Sequence, residues 1–201
     1  MSSCVILAAG LSNRMGKKKP LLQFNNELTF LEKIVLVYKS WGIEKPVVIV
    51  NRDVLFKVNQ LKSQWLGDCK FVLNQHLDYG RFYSIKLGLE KVKYNSPVFI
   101  QNVDNPFINH YILQLLFDQL VKGDFAVPVY KGKGGHPVLL SEKVITDIIA
   151  EKEHDLNFRD FLKGYSKQKV EVDDETVLVN INTMEEYGNY FRNYKFRCHF
   201  S

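Results

Sequence analysis

"LAAGLSNRMGKKKPLL", residues 7–22, follows an apolar run, Cys4-Val5-Ile6-Leu7, that reads as a buried strand. A glycine-rich turn leaving a strand presents successive backbone N–H groups that can hold an anion. Two familiar phosphate loops nearly fit it. The Walker pattern needs four residues between its glycines, but Gly10 and Gly16 enclose five. Lys17 is then followed by Lys18 where a hydroxyl should hold magnesium. The dinucleotide spacing G-x-G-x-x-G does not occur. What remains is a loop with backbone N–H groups at residues 8–12 and cations at Arg14 and Lys19, a pattern suited to a polyphosphate. Lys17 and Lys18, taken singly, read as solvated surface lysines.

Outward from this stretch, apolar runs of strand length alternate with amphipathic runs of helix length. Strands are expected at residues 4–9, Val47–Val50, Phe71–Leu73, Val98–Val103, Phe125–Val129, Pro137–Leu140 and Val170–Val172. Thr29-Phe30-Leu31-Glu32 has capping-box spacing. Leu31, Ile34, Val35, Tyr38 and Trp41 then share one helix face, and Gly42 supplies a stop. Thr183-Met184-Glu185-Glu186 repeats the capping box before a final helix. Further helices are expected near residues 53–65, 81–93, 109–122, 141–150 and 157–164. The alternation predicts a single domain over residues 1–201, a three-layer α/β/α sandwich on a mostly parallel, Rossmann-like sheet. Ligands of such sheets bind at the carboxyl ends of the strands. The loop after residues 4–9 and Asp104, in "FIQNVDNPF", should therefore share one edge.

Composition excludes several classes. A length of 201 residues with 46% hydrophobic content, 14 Phe and 10 Tyr suits a folded core. No stretch approaches the roughly 20 apolar residues of a membrane span. Strand-like sequence begins so near Met1 that no signal peptide is expected, which points to the cytoplasm. Cys4, Cys69 and Cys198 fit no metal spacing and read as ordinary thiols of a reducing compartment. The net charge of +5 is scattered apart from Lys17–Lys19 and a tail with Arg192, Lys195 and Arg197, without the basic stripe of a nucleic-acid binder. It favours a phosphorylated small molecule as partner, with neither nucleic acid nor membrane.

Taken together, the motifs place the chain by resemblance. "LAAGLSNRMGKKKPLL" resembles the signature L-A-[AG]-G-x-S-x-R-M-G-x-x-K-x-L-L of GT-A-like nucleotidyltransferases. Within that superfamily it is similar to the molybdenum cofactor cytidylyl- and guanylyltransferases, with their MobA-like NTP transferase domain. Asn74, Gly80, Ser84, Gly88 and Leu89 resemble the nucleotide-site segment N-x(n)-G-x-x-x-S-[IL]-x-x-G-L. "VDNPFI" resembles the D-x-P metal motif and "GGHPVLL" the acceptor-side loop. "HDLNFRDFL" loosely resembles D-x-G-A-R-x-L-L, and "VEVDDETVLVNINTMEEY" resembles the closing segment.

The resemblance implies an Mg²⁺-dependent enzyme that joins an NMP unit to a phosphorylated acceptor and releases pyrophosphate. It assigns nucleotide contacts to Leu7, Ala8, Ala9, Gly10, Ser12, Asn74, Gly80 and Ser84. Arg14 and Lys19 would bind phosphates and stabilise the transition state, and Asp104 would hold the metal. Asn180 or Asn182 would be the second ligand, with Asn180 preferred; related cytidylyltransferases carry aspartates there. His136 and Pro137 would shape the acceptor side, while Lys131 and Lys133 read as solvated. The L-A-A-G form favours CTP over GTP, because the Ala9 methyl narrows the space beside the base. Molybdopterin is the implied acceptor. A sugar- or polyol-phosphate acceptor stays open, as does a non-catalytic nucleotide- or cofactor-binding module. For Asp104-Asn105-Pro106 alone, the bland alternative is a turn that caps the next helix.

Overall fold

Side chains alternate across a strand, and β1 (Ser3–Ala8) shows what that does here. Cys4, Ile6 and Ala8 enter one apolar cluster and Val5 enters another, so the strand is buried on both faces. The computed structural model describes residues 2–11, 15–61, 63–92, 96–121 and 123–197; Cys198 lies outside them. The other strands are β2 (Val47–Val50), β3 (Lys70–Leu73), β4 (Val98–Asn102), β5 (Phe125–Tyr130), β6 (Lys133–Gly134), β7 (Val138–Leu140) and β8 (Lys167–Glu171). The described strands form one sheet in the order β3-β2-β1-β4-β7-β5-β6, with β8 on β5. β1 lies parallel to both β2 and β4, with Ile6 opposite Val48 and Gln101. β7 is antiparallel to β4 and β5, whereas β8 is parallel to β5.

Helices cover both faces. α1 (Phe30–Ser40), α2 (Arg52–Leu61), α4 (His110–Gln119) and α7 (Met184–Arg197) pack with the Cys4–Ile6–Ala8 face, and Phe191 of α7 meets Phe24 edge-on, Phe30 tilted and Phe107 stacked. α3 (Gly80–Leu89), α5 (Glu142–Ala150) and α6 (Phe158–Phe161) cover the other face with Phe82, Ile85, Val144, Ile148 and Phe158. This is the expected three-layer, mostly parallel α/β/α architecture. Both anticipated capping boxes form: Thr29 with Glu32 on α1, and Thr183 with Glu186 before α7. Gly42 ends α1 with φ +107°, a conformation that glycine adopts without strain. Among the described residues no helix is long and apolar enough to cross a membrane.

Several local expectations shift: the strand expected at Val170–Val172 runs over Lys167–Glu171, and α2 and α3 end early, at Leu61 and Leu89 rather than at residues 65 and 93. The 131–136 loop contains the short β6 hairpin with β5. β7 starts at Val138 because Pro137 has no N–H to give a ladder. The expected helix over 157–164 divides into α6 and a 3-10 turn at Leu162–Gly164. Helix α3 and strand β1 approach closely at Gly88, where an added Cβ would overlap the Val5 side chain. Gly88→Ala gains about 1 kcal/mol of helix propensity but meets an overpacking cost of about 1–3 kcal/mol. The variant should unfold at lower urea with an unchanged denaturant slope.

Candidate active site

Parallel β1 and β4 end side by side at one edge of the sheet, where their loops turn away and leave a crevice. A cleft of about 470 Å³ opens there. Leu7, Ala8, Ala9, Gly10, Lys19, Asn74, Gly80, Ser84 and Asp104 line it, together with Leu11, Pro20, Leu77, Arg81, Asn102, Val103 and Asn182. Most residues anticipated from sequence therefore converge on one space. Ser12 and Arg14 lie outside the described residues. Asn180 and Pro137 line neither this cleft nor its neighbour, and His136 belongs to the neighbour.

The first loop is tied down by Asn51, at the end of β2. Its amide donates to the carbonyls of Ala9 (2.9 Å) and Gly10 (3.4 Å), and its Oδ1 accepts from Val54 N–H at the start of α2. Sequence reading passed over Asn51; its position, one residue beyond a strand and just before a helix, was the available signal. On the opposite wall the Asn74 amide donates to Ser84 Oγ (2.9 Å), and that hydroxyl donates in turn to Gly80 O (3.4 Å). The Ser84 hydroxyl is thus spent inside the protein, and it shapes the turn at Gly80. Gly80 sits at φ +76°, where a side chain would be strained.

The third wall is brought in by Asn105. Its buried amide lies 3.1, 3.2 and 2.6 Å from the carbonyls of Thr176, Val177 and Val179. Ile181 N–H donates to Asp104 O (2.8 Å), which sets the register of the closing segment. Asn182, not Asn180, then reaches the cleft: its Oδ1 accepts from Lys19 Nζ at 2.7 Å. The Asn180 amide instead donates to Leu178 O. Lys19 Nζ also lies 3.7 Å from Asp104 Oδ2. Lys17 is exposed as expected, but Lys18 is only 19% exposed and pairs with Asp53 at 2.8 Å.

Burial pushes the Asp104 carboxyl above its usual range, opposed by Lys19 and Arg81. Its Oδ1 is buried and has no hydrogen-bond partner among the described residues. No group of three or more His, Cys, Asp or Glu side chains able to hold a metal occurs among them either. Such a site suits a hard divalent cation that takes one carboxylate and completes its shell with substrate phosphates and water. Asp104 Oδ1, supplemented by the Asn182 amide oxygen, would be the protein's contribution.

A second cleft of about 1010 Å³ adjoins the first. Arg81, Lys133, Arg159, Lys163 and Lys167 line it against a single carboxylate, Asp155. His136 stands at its inner side with Nε2 3.1 Å from the Asn102 amide nitrogen. An amide nitrogen only donates, so Nε2 accepts and the ring is neutral with its proton on Nδ1. Burial, reinforced by Arg81 and Arg159, pulls the His136 pKa down to about 4. A neutral ring fits a wall residue better than a proton carrier.

The fold and its strand-end cleft are those of a nucleotidyltransferase. Residues 4–172 match the MobA-like NTP transferase domain, and the chain belongs to that family. It is 24% identical over 197 residues to the molybdenum cofactor cytidylyltransferase of Escherichia coli K12, covering 92% of each chain. It is 30% identical over 207 residues to a probable molybdenum cofactor guanylyltransferase of Methanosarcina mazei, covering 93% of this chain and 88% of the other. Rv0371C of Mycobacterium tuberculosis H37Rv, solved in complex with manganese, superposes with a TM-score of 0.76 at 19% identity, over 94% of this chain and 96% of that one.

The depressed His136 pKa carries a stability signature. Between about 4 and the ordinary 6.5 the unfolded chain binds a proton that the folded chain does not, so stability falls as pH drops through that window. Asp104, shifted upward, acts in the opposite sense, so the comparison must be made between variants. The unfolding free energy of wild type minus that of His136→Gln should fall by up to about 3 kcal/mol from neutral pH to about pH 4. Urea titrations across that range measure it.

Proposed function

We propose that the chain, as one domain over residues 1–201, is a molybdenum cofactor nucleotidyltransferase that uses CTP and Mg²⁺ and transfers CMP to molybdopterin. The observation that carries the reading is the meeting of Lys19, Asn182 and the unpartnered Asp104 Oδ1 at the strand ends, in a cleft walled by the Leu7–Gly10 loop. The triphosphate would lie along that loop, with its backbone N–H groups and Lys19 on the phosphates. Arg14 is assigned to the same phosphates. The base would sit between Ala9 and the Asn74–Gly80–Ser84 wall, where the nearly buried Ala9 methyl favours a pyrimidine. A bound Mg²⁺ would supply charge neutralisation at the α-phosphate, held by Asp104 and by Asn182 rather than Asn180. Lys19 balances charge as pyrophosphate departs.

The acceptor would occupy the cationic second cleft, whose charge suits a phosphorylated molecule, with His136 and the adjoining Pro137 shaping its wall. A phosphate nucleophile is already ionised near neutral pH and needs positioning more than proton removal. The neutral His136 agrees with that requirement. Cys4 and Cys69 are free thiols, which suits a reducing cytoplasm.

A thermal-shift series with CTP, GTP, ATP and UTP, each with Mg²⁺, tests the nucleobase; stabilisation by GTP alone would overturn the assignment made from Ala9. Pyrophosphate release from CTP and molybdopterin tests the reaction. In that assay Asp104→Asn should lower turnover by about 100-fold or more, and chelation of divalent metal should abolish it. A protein that binds nucleotide saturably, with or without Asp104, but turns over no acceptor would be a binding module.

A further inference from the structure

Among the described residues Arg81 lines both clefts, and no other residue does. It follows the positive-φ turn at Gly80 near the start of α3, a helix anchored in the core by Phe82, Ile85 and Leu89. Its guanidinium rests over the Phe158 ring, 5.5 Å from the centroid, so one face is held by α6. The turn before it is braced too: Tyr79 stacks on His76 at 5.0 Å and on His154 at 5.5 Å. Despite this bracing, the guanidinium has no hydrogen-bond or ion-pair partner among the described residues, and all of its N–H donors are open. Its charge is nonetheless felt on both sides: it opposes the upward shift of Asp104 in the first cleft and deepens the downward shift of His136 in the second. A positioned, partnerless cation at a junction of two clefts invites an anion from each.

We propose that Arg81 is a catalytic residue that contacts both reacting phosphates, the α-phosphate of the nucleotide in the first cleft and the attacking phosphate of the acceptor in the second. The inference rests on the reading given under Proposed function. In the step, a non-bridging oxygen of the acceptor phosphate forms a bond to the α-phosphorus. The bond from that phosphorus to the β-phosphate oxygen breaks, its electron pair leaves on pyrophosphate, and no proton moves. Two anions must approach to about 3–3.5 Å for this attack, against their mutual repulsion. A planar guanidinium can offer one pair of N–H donors to each phosphate, which an ammonium cannot do with the same geometry. The position was silent in the sequence, because in G-x-x-x-S it occupies an unspecified place.

The test compares wild type, Arg81→Ala and Arg81→Lys in pyrophosphate release from CTP, Mg²⁺ and molybdopterin, with CTP affinity measured by calorimetry in the absence of acceptor. Arg81→Ala should lower kcat by about 100-fold and raise KM for molybdopterin, while the Kd for CTP changes by about fivefold or less. Arg81→Lys should stay at least about tenfold below wild type in kcat, because charge without the fork does not bridge; it also carries the test if the alanine variant is unstable. A kcat near that of wild type in both variants overturns the proposal. So does a change confined to KM for molybdopterin, which would mark Arg81 as an acceptor-binding contact alone. A wild-type protein that releases no pyrophosphate overturns the underlying reading and this inference together, whereas an active wild type with unaffected variants overturns this inference alone.

Discussion

The site depends on the buried amide of Asn105. Three carbonyls of the 176–179 segment converge on it, and the adjacent Asp104 carbonyl takes Ile181 N–H. These bonds join the end of a central strand to a segment more than seventy residues later. Because unpaired polar groups in the interior are costly, the amide and carbonyls constrain one another tightly. Everything downstream inherits that register. Ile181 enters the core, Asn182 turns to Lys19, and the Thr183–Glu186 box starts α7, whose Phe191 closes over Phe24, Phe30 and Phe107.

Electrostatics then divides the crevice into two environments. In the first cleft a single half-buried carboxylate stands near two cations, and desolvation outweighs their pull on it. An anionic ligand such as a triphosphate and a hard cation complement each other in such a place, since each relieves the desolvation of the other. The second cleft carries an excess of cations on an apolar floor of Phe125, Val127, Val138 and Leu162. The Asn102–His136 contact stands between the two, with its histidine held neutral. Arg81 is the charged link across that boundary.

Much of this was legible from local chemistry. Apolar runs at strand length, the capping boxes at Thr29 and Thr183 and the stop at Gly42 are local signals, and the sheet, helices and strand-end location of Asp104 followed from them. The five residues between Gly10 and Gly16 set aside the Walker loop, and the missing G-x-G-x-x-G the dinucleotide loop. Less accessible was the antiparallel insertion of β7 between β4 and β5, because a short apolar run carries no information about its direction. Lys18 read as solvated because its partner, Asp53, lies on a different element.

By itself the sequence determined the layers, the sheet edge shared by the first loop and Asp104, and the family to which the chain belongs, since periodicity, caps and ordered motifs are properties of neighbouring residues. Only the tertiary structure put Asn182 on the wall of the first cleft against Lys19 while turning the Asn180 amide to Leu178 O. It alone revealed Asn51 as the brace of the first loop and placed Arg81 at the junction of two clefts. Those placements depend on contacts between residues distant in the chain, which no local pattern encodes: Asn51 with the loop after β1, Arg81 with Phe158, and Asn105 with the 176–179 segment that brings Asn182 to Lys19.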